Sequence, residues 1–211
     1  DRSDWKLLAY NWAEDAATGP ILDFQSGLNF LSNAIRNGTQ AAEISHQHGE
    51  RLGPLLKQKL PRLKKIHFIA HSAGTWNARA SAIYLAQNVE NIEVQVTLLD
   101  PYIPGAAPNA ESGCTVDKVS QLGTLNSIGL LENYYYANDV FGTESVFDWR
   151  ATDRNVRLGG SFLPNPLNHM TPVSWYGGTI AKNASDSWAF SLAFDDTAET
   201  DTHVESQPAA F

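Results

Sequence analysis

Hydrophobic and polar positions alternate along the chain in short blocks. Four apolar runs, each bounded by turn or helix signals, predict buried β-strands: Trp5–Tyr10 (WKLLAY), Lys65–Ala70 (KIHFIA), Glu93–Leu99 (EVQVTLL) and Asn133–Ala137 (NYYYA). Asn155–Leu158 is a weaker fifth candidate. Between the first two runs, Ala41, Ile44, Leu52, Leu55 and Leu56 recur near a 3.6-residue period and predict a helix. Gly53-Pro54 interrupts that pattern, so a kink or two consecutive helices is expected there. Thr75–Gln87 predicts a second helix, with Trp76, Ile83 and Ala86 on one side. Strand–helix–strand–helix–strand order implies βαβ units. The expected fold is therefore α/β, with a mostly parallel sheet flanked by helices on both faces.

Composition narrows the class. At 211 residues, 43% hydrophobic and 18% charged, the chain is globular and long enough for one domain with its own core. Residues 1–194 read as that domain, and the acidic, polar segment 195–211 as a flexible tail. No apolar run approaches the ~18 residues of a membrane span. The net charge of −8, with no dense basic cluster, argues against nucleic acid as the main partner. A single cysteine, Cys114, excludes an intrachain disulfide framework and a Cys-rich zinc site. His46 and His48 form an H-x-H pair without a clear third ligand and read as part of a surface helix. No metal or other cofactor is expected. The chain opens Asp1-Arg2-Ser3-Asp4 with no signal peptide, as an intracellular chain would, or one that has lost an upstream segment. Asn37-Gly38-Thr39 and Asn183-Ala184-Ser185 match the glycosylation pattern.

The chemistry concentrates in Ile66-His67-Phe68-Ile69-Ala70-His71-Ser72-Ala73-Gly74-Thr75-Trp76. An apolar strand runs into small-His-Ser-Ala-Gly, and a helix follows, which is the context of a nucleophile elbow. A serine at the tip of a tight strand-to-helix turn is backbone-strained and lifts its hydroxyl clear of the sheet. Small residues two before and two after, here Ala70 and Gly74, are expected because helix and strand approach closely. The amide of Ala73 is placed to stabilise an oxyanion.

On these residues the chain resembles the serine esterase and lipase branch of the α/β-hydrolase superfamily. That resemblance implies a triad in the order Ser, acid, His. His46, His48, His67 and His71 precede or adjoin Ser72, and His203 lies in the polar tail. This leaves His169, on the Pro- and Asn-rich segment Pro166–Pro172, as the base. Two acids compete. Asp100 ends a strand in Leu98-Leu99-Asp100-Pro101, which looks like the pancreatic-type lipase pattern; Asp139 ends the next strand, where most other α/β-hydrolases place their acid. The resemblance further implies acyl transfer on a small-molecule or lipid ester, and secretion. Other serine acyl hydrolases (thioesterase, amidase, peptidase) and a non-catalytic binding domain are the alternatives.

The family's second oxyanion donor usually sits on a loop opening His-Gly, and no such motif precedes Ser72. Trp5–Tyr10 would be the strand immediately before the elbow strand, and the family's opening strands are not visible. The fold is therefore expected to be reduced or truncated at the N-terminus, with Asn11 or Trp12 as candidate second donors. Tyr102–Leu131 and Val140–Asn168 are candidate lid or acyl-binding segments, and Trp149, Phe162, Trp175 and Tyr176 cluster around the histidine in sequence.

Overall fold

The computed structural model describes residues 6–12, 15, 30–104, 113–137, 154–160 and 166–181. Four strands form one all-parallel sheet in the order β1-β2-β3-β4: β1 (Lys65–His71), β2 (Glu93–Leu99), β3 (Ile128–Ala137) and β4 (Arg154–Gly160). Helices α1 (Phe30–Lys59), α2 (Thr75–Asn88), α3 (Val116–Ser120) and α4 (Thr171–Ala181) flank it. Among the described residues no helix is long and apolar enough to cross a membrane.

Successive side chains of a strand point to opposite faces of its sheet, and β2 divides its residues accordingly. Val94, Val96 and Leu98 join a large core with Leu131 of β3, Ala42 and Leu56 of α1, and Trp76, Ala78, Ala82 and Leu85 of α2. Leu99 turns the other way, into a smaller core with Tyr134, Val156 and Tyr176 of α4. The main core also takes in Ile103, Cys114, Val119 and Leu122. The described part of Tyr102–Leu131 is therefore packed interior and strand rather than lid.

The seam between α1 and α2 is built from small residues. A Cβ added at Gly49 would lie 2.5 Å from the Asn77 carbonyl oxygen and 2.7 Å from the Ala80 Cβ. That close approach lets Ser45 Oγ accept the Asn77 N–H at 3.1 Å, satisfying a first-turn donor of α2 from a neighbouring helix. Ser81 Oγ in turn donates to the Gly49 carbonyl at 3.2 Å. Gly49→Ala gains about 1 kcal/mol of helix propensity. It also forces a methyl into a backbone oxygen that cannot swing away, an overpacking cost of up to about 3 kcal/mol. A net loss of stability is expected, read as a lower denaturant midpoint at unchanged m-value.

The structure corrects two expectations. Residues 6–10 form no strand: Leu7 is 96% and Leu8 66% exposed. An apolar run becomes a strand only where a free edge receives its hydrogen bonds. Here Tyr10 is instead drawn to α1, its hydroxyl 2.7 Å from His48 Nδ1. Helix α1 runs continuously through Gly53-Pro54. Pro54 falls near the helix end, where Gly53 lies against Tyr84 and Leu56 is buried in the core, and this packing outweighs the missing N–H. Asn37 is buried within α1, so its sequon is closed to a glycan in the folded chain. Asn183 lies outside the described residues, as does the segment 195–211.

Candidate active site

The elbow is a conformational reversal packed into three residues. His71 ends β1 in extended conformation (φ −113°, ψ 141°), Ser72 turns to φ 55°, and Gly74 and Thr75 are already helical. A positive φ costs a non-glycine residue of order 1–3 kcal/mol and persists only where the surroundings over-determine it. Here the seven-residue pairing of β1 with β2 holds one side and the buried start of α2, Thr75 and Trp76, holds the other. The Trp76 indole N–H donates to the Tyr102 carbonyl at 2.8 Å, pinning that helix start. Ala70 is buried, as the close strand–helix approach requires. Gly74 departs from expectation: an added Cβ would meet nothing within 4 Å among the described residues.

Asp100 follows the last residue of β2 and also adopts positive φ, 48°. Its N–H donates to the Tyr134 carbonyl at 2.8 Å, continuing the β2–β3 pairing one residue past the strand. Its carboxylate is fully buried. Oδ1 accepts the Tyr136 N–H at 3.2 Å, and Oδ2 lies 2.6 Å from His169 Nδ1. His169 sits on a 3₁₀ turn, Pro166–Met170, that leads into α4 rather than on an extended loop. With Nδ1 engaged by Asp100, Nε2 is the ring nitrogen that can serve a hydroxyl. His71 closes the arrangement: its Nε2 donates to the His169 carbonyl at 2.9 Å, and the two rings lie 4.5 Å apart. His169 thus stands against the residue covalently joined to Ser72. The Ser72 hydroxyl forms no hydrogen bond among the described residues. Catalytic hydrogen bonds often tighten only with substrate bound.

The rival acid, Asp139, lies outside the described residues, as do Trp149 and Phe162. Trp175 and Tyr176 are brought together on α4, where their rings flank Tyr134 at 4.9 and 6.0 Å as part of the smaller core. The candidate second donors lie in the segment before α1. Trp12 packs against His48 of α1 with ring centroids 6.2 Å apart, and Asn11 is exposed. His48 Nε2 pairs with Asp15 at 3.0 Å and His46 with Glu50 at 3.5 Å, so the H-x-H pair is divided between separate partners.

Beneath the site runs a polar cluster that sequence reading missed. Glu132 of β3 is fully buried, and its carboxylate accepts from Thr97 Oγ1 at 2.8 Å, Gln95 Nε2 at 3.2 Å and the Tyr134 hydroxyl at 3.0 Å. Thr97 also meets His67 Nε2 at 2.8 Å. Burial, with the Glu132 charge second, pushes the Tyr176 hydroxyl well above its ordinary pKa. The signal was present as polar residues two apart, Gln95 and Thr97, on an otherwise apolar strand, aligned with His67 and Glu132 across the sheet.

Burial also lowers His67 from 6.5 to about 4. The unfolded chain therefore binds this proton more readily. The contribution to stability is complete above pH 6.5 and is lost as pH falls toward 4, by as much as about 3 kcal/mol. Melting curves across that range are expected to fall with acid in the wild type, and less steeply in His67→Gln.

No protein-family model matches the chain, nor does any curated protein or solved structure.

Proposed function

We propose that this chain is a serine hydrolase of carboxylic esters, built on an α/β-hydrolase core and acting through an acyl-enzyme. The observation that carries this reading is the buried Asp100–His169 pair at 2.6 Å beside a serine held at positive φ. The two residues of that pair are 69 positions apart, and both lie at the carboxyl end of a parallel sheet, where ligands of open α/β sheets bind.

In the mechanism, Ser72 Oγ attacks the ester carbonyl as His169 Nε2 takes its proton. Asp100 fixes the imidazole in the tautomer with hydrogen on Nδ1 and stabilises the imidazolium. The Ala73 N–H, at the start of the helix that follows the serine, serves the developing oxyanion. His169 returns the proton to the leaving alcohol. Water, activated by the same imidazole, then attacks the acyl-enzyme carbonyl and frees Ser72.

A fluorophosphonate probe tests this directly, since it labels serines activated by a neighbouring base. The folded wild type is expected to label, and Ser72→Ala is not. Absence of Ser72-dependent labelling sinks the hydrolase reading and leaves the binding-domain alternative. Turnover across an acyl series of p-nitrophenyl esters then separates a lipase-like preference from a short-chain one. Parallel thioester and amide substrates test the other acyl classes.

A further inference from the structure

We propose that His71 is a positioning residue that locks the turn carrying His169 onto the nucleophile elbow. The proposal deepens the hydrolase reading and rests on it for its kinetic consequence. A carbonyl oxygen only accepts hydrogen bonds, so the 2.9 Å contact from His71 Nε2 to the His169 carbonyl puts the His71 hydrogen on Nε2. That single bond joins positions 98 residues apart. Its donor projects from the end of a strand paired to its neighbour along its full length. The rings meet at 4.5 Å with a 44° tilt, so His71 also limits rotation of the His169 imidazole from the side.

The geometry gives His71 a task that Asp100 cannot perform. Asp100 binds the imidazole at Nδ1 and sets its tautomer. It does not tie the His169 backbone to the strand that bears Ser72. His71 does, from the position covalently next to the nucleophile, so any shift of the elbow carries the base with it. Base and nucleophile then keep their separation as one unit. Misplacement of a reacting group by about 1 Å costs on the order of 100-fold in rate.

The test compares His71→Leu, which keeps volume but removes the donor, with His71→Gln, whose amide nitrogen reaches about as far as Nε2. Turnover of p-nitrophenyl butyrate is one readout. The other is the deshielded proton of the Asp100–His169 hydrogen bond, observed by NMR in the full chain. His71→Leu is expected to lower kcat about 100-fold, with KM within about threefold, and to broaden or abolish that proton signal through faster exchange. His71→Gln is expected to recover kcat to within about tenfold of wild type and to keep the signal. If His71→Leu keeps kcat within about threefold and an unchanged proton signal, the proposal is overturned. Should the leucine variant fail to fold, His71→Asn replaces it, because its shorter amide falls short of the carbonyl. Equal kcat and equal proton signals in the Asn and Gln variants overturn the proposal as well. A wild type without Ser72-dependent turnover refutes the hydrolase reading instead, while the proton signal still judges the role of His71.

Discussion

Ser72→Ala is expected to abolish ester turnover, with a loss on the order of 10⁶-fold in kcat and the fold intact. The magnitude follows from chemistry: among the described residues no other nucleophile adjoins the Asp100–His169 pair, and His169 without a nucleophile retains only its effect on water. The same position carries a stability prediction of opposite sign. At φ 55° a serine is strained, whereas glycine adopts that conformation freely. Ser72→Gly relieves about 1–3 kcal/mol of strain and gives back up to about 1 kcal/mol through the greater freedom of the unfolded chain. A net gain in stability of about 1 kcal/mol is therefore expected beside total loss of activity. Chemical denaturation of wild type, Ser72→Ala and Ser72→Gly checks it; an order in which glycine is the least stable contradicts the strained-elbow account.

Asp100→Asn is expected to lower kcat by about 10⁴-fold. Asparagine tolerates positive φ, so the 48° backbone at this position is retained and the change isolates the charge. The amide nitrogen turned toward His169 favours the tautomer with hydrogen on Nε2, which cannot accept the Ser72 proton. The neutral side chain also stops stabilising the imidazolium. Asp139→Asn is expected to stay near wild-type turnover. Steady-state kinetics on both variants decides the matter: normal Asp100→Asn with a crippled Asp139→Asn reverses the assignment of the acid.

Much of the sheet was legible because strands and their flanking turns are specified over a few residues. Lys65–His71 and Glu93–Leu99 emerge within a residue of the apolar runs that predicted them. Ile128–Ala137 extends five residues ahead of its predicted start, since Leu130 and Leu131 continue the run behind Glu132. A charge inside a buried strand is costly. Donors from Gln95 and Thr97 on the neighbouring strand, and from Tyr134 two residues along its own, make the position tolerable. The run at 5–10 differs for the converse reason: its local pattern suits a strand, yet residues 6–10 pair with no strand, and the Tyr10 hydroxyl instead meets His48 of α1.

The sequence by itself determined the elbow, because the strand, the strained serine and the helix that follows are contiguous and their conformations are set by near neighbours. Through the order its α/β-hydrolase resemblance implies, it also pointed to His169 as candidate base and to two strand ends for the candidate acid. Tertiary packing alone sets Asp100 against that histidine, satisfies Glu132, and brings His71 to the turn carrying His169. These contacts link residues 69, 35 and 98 positions apart. No local periodicity encodes a hydrogen bond across such distances; parallel pairing of β1, β2 and β3 brings their ends to one edge and the groups together.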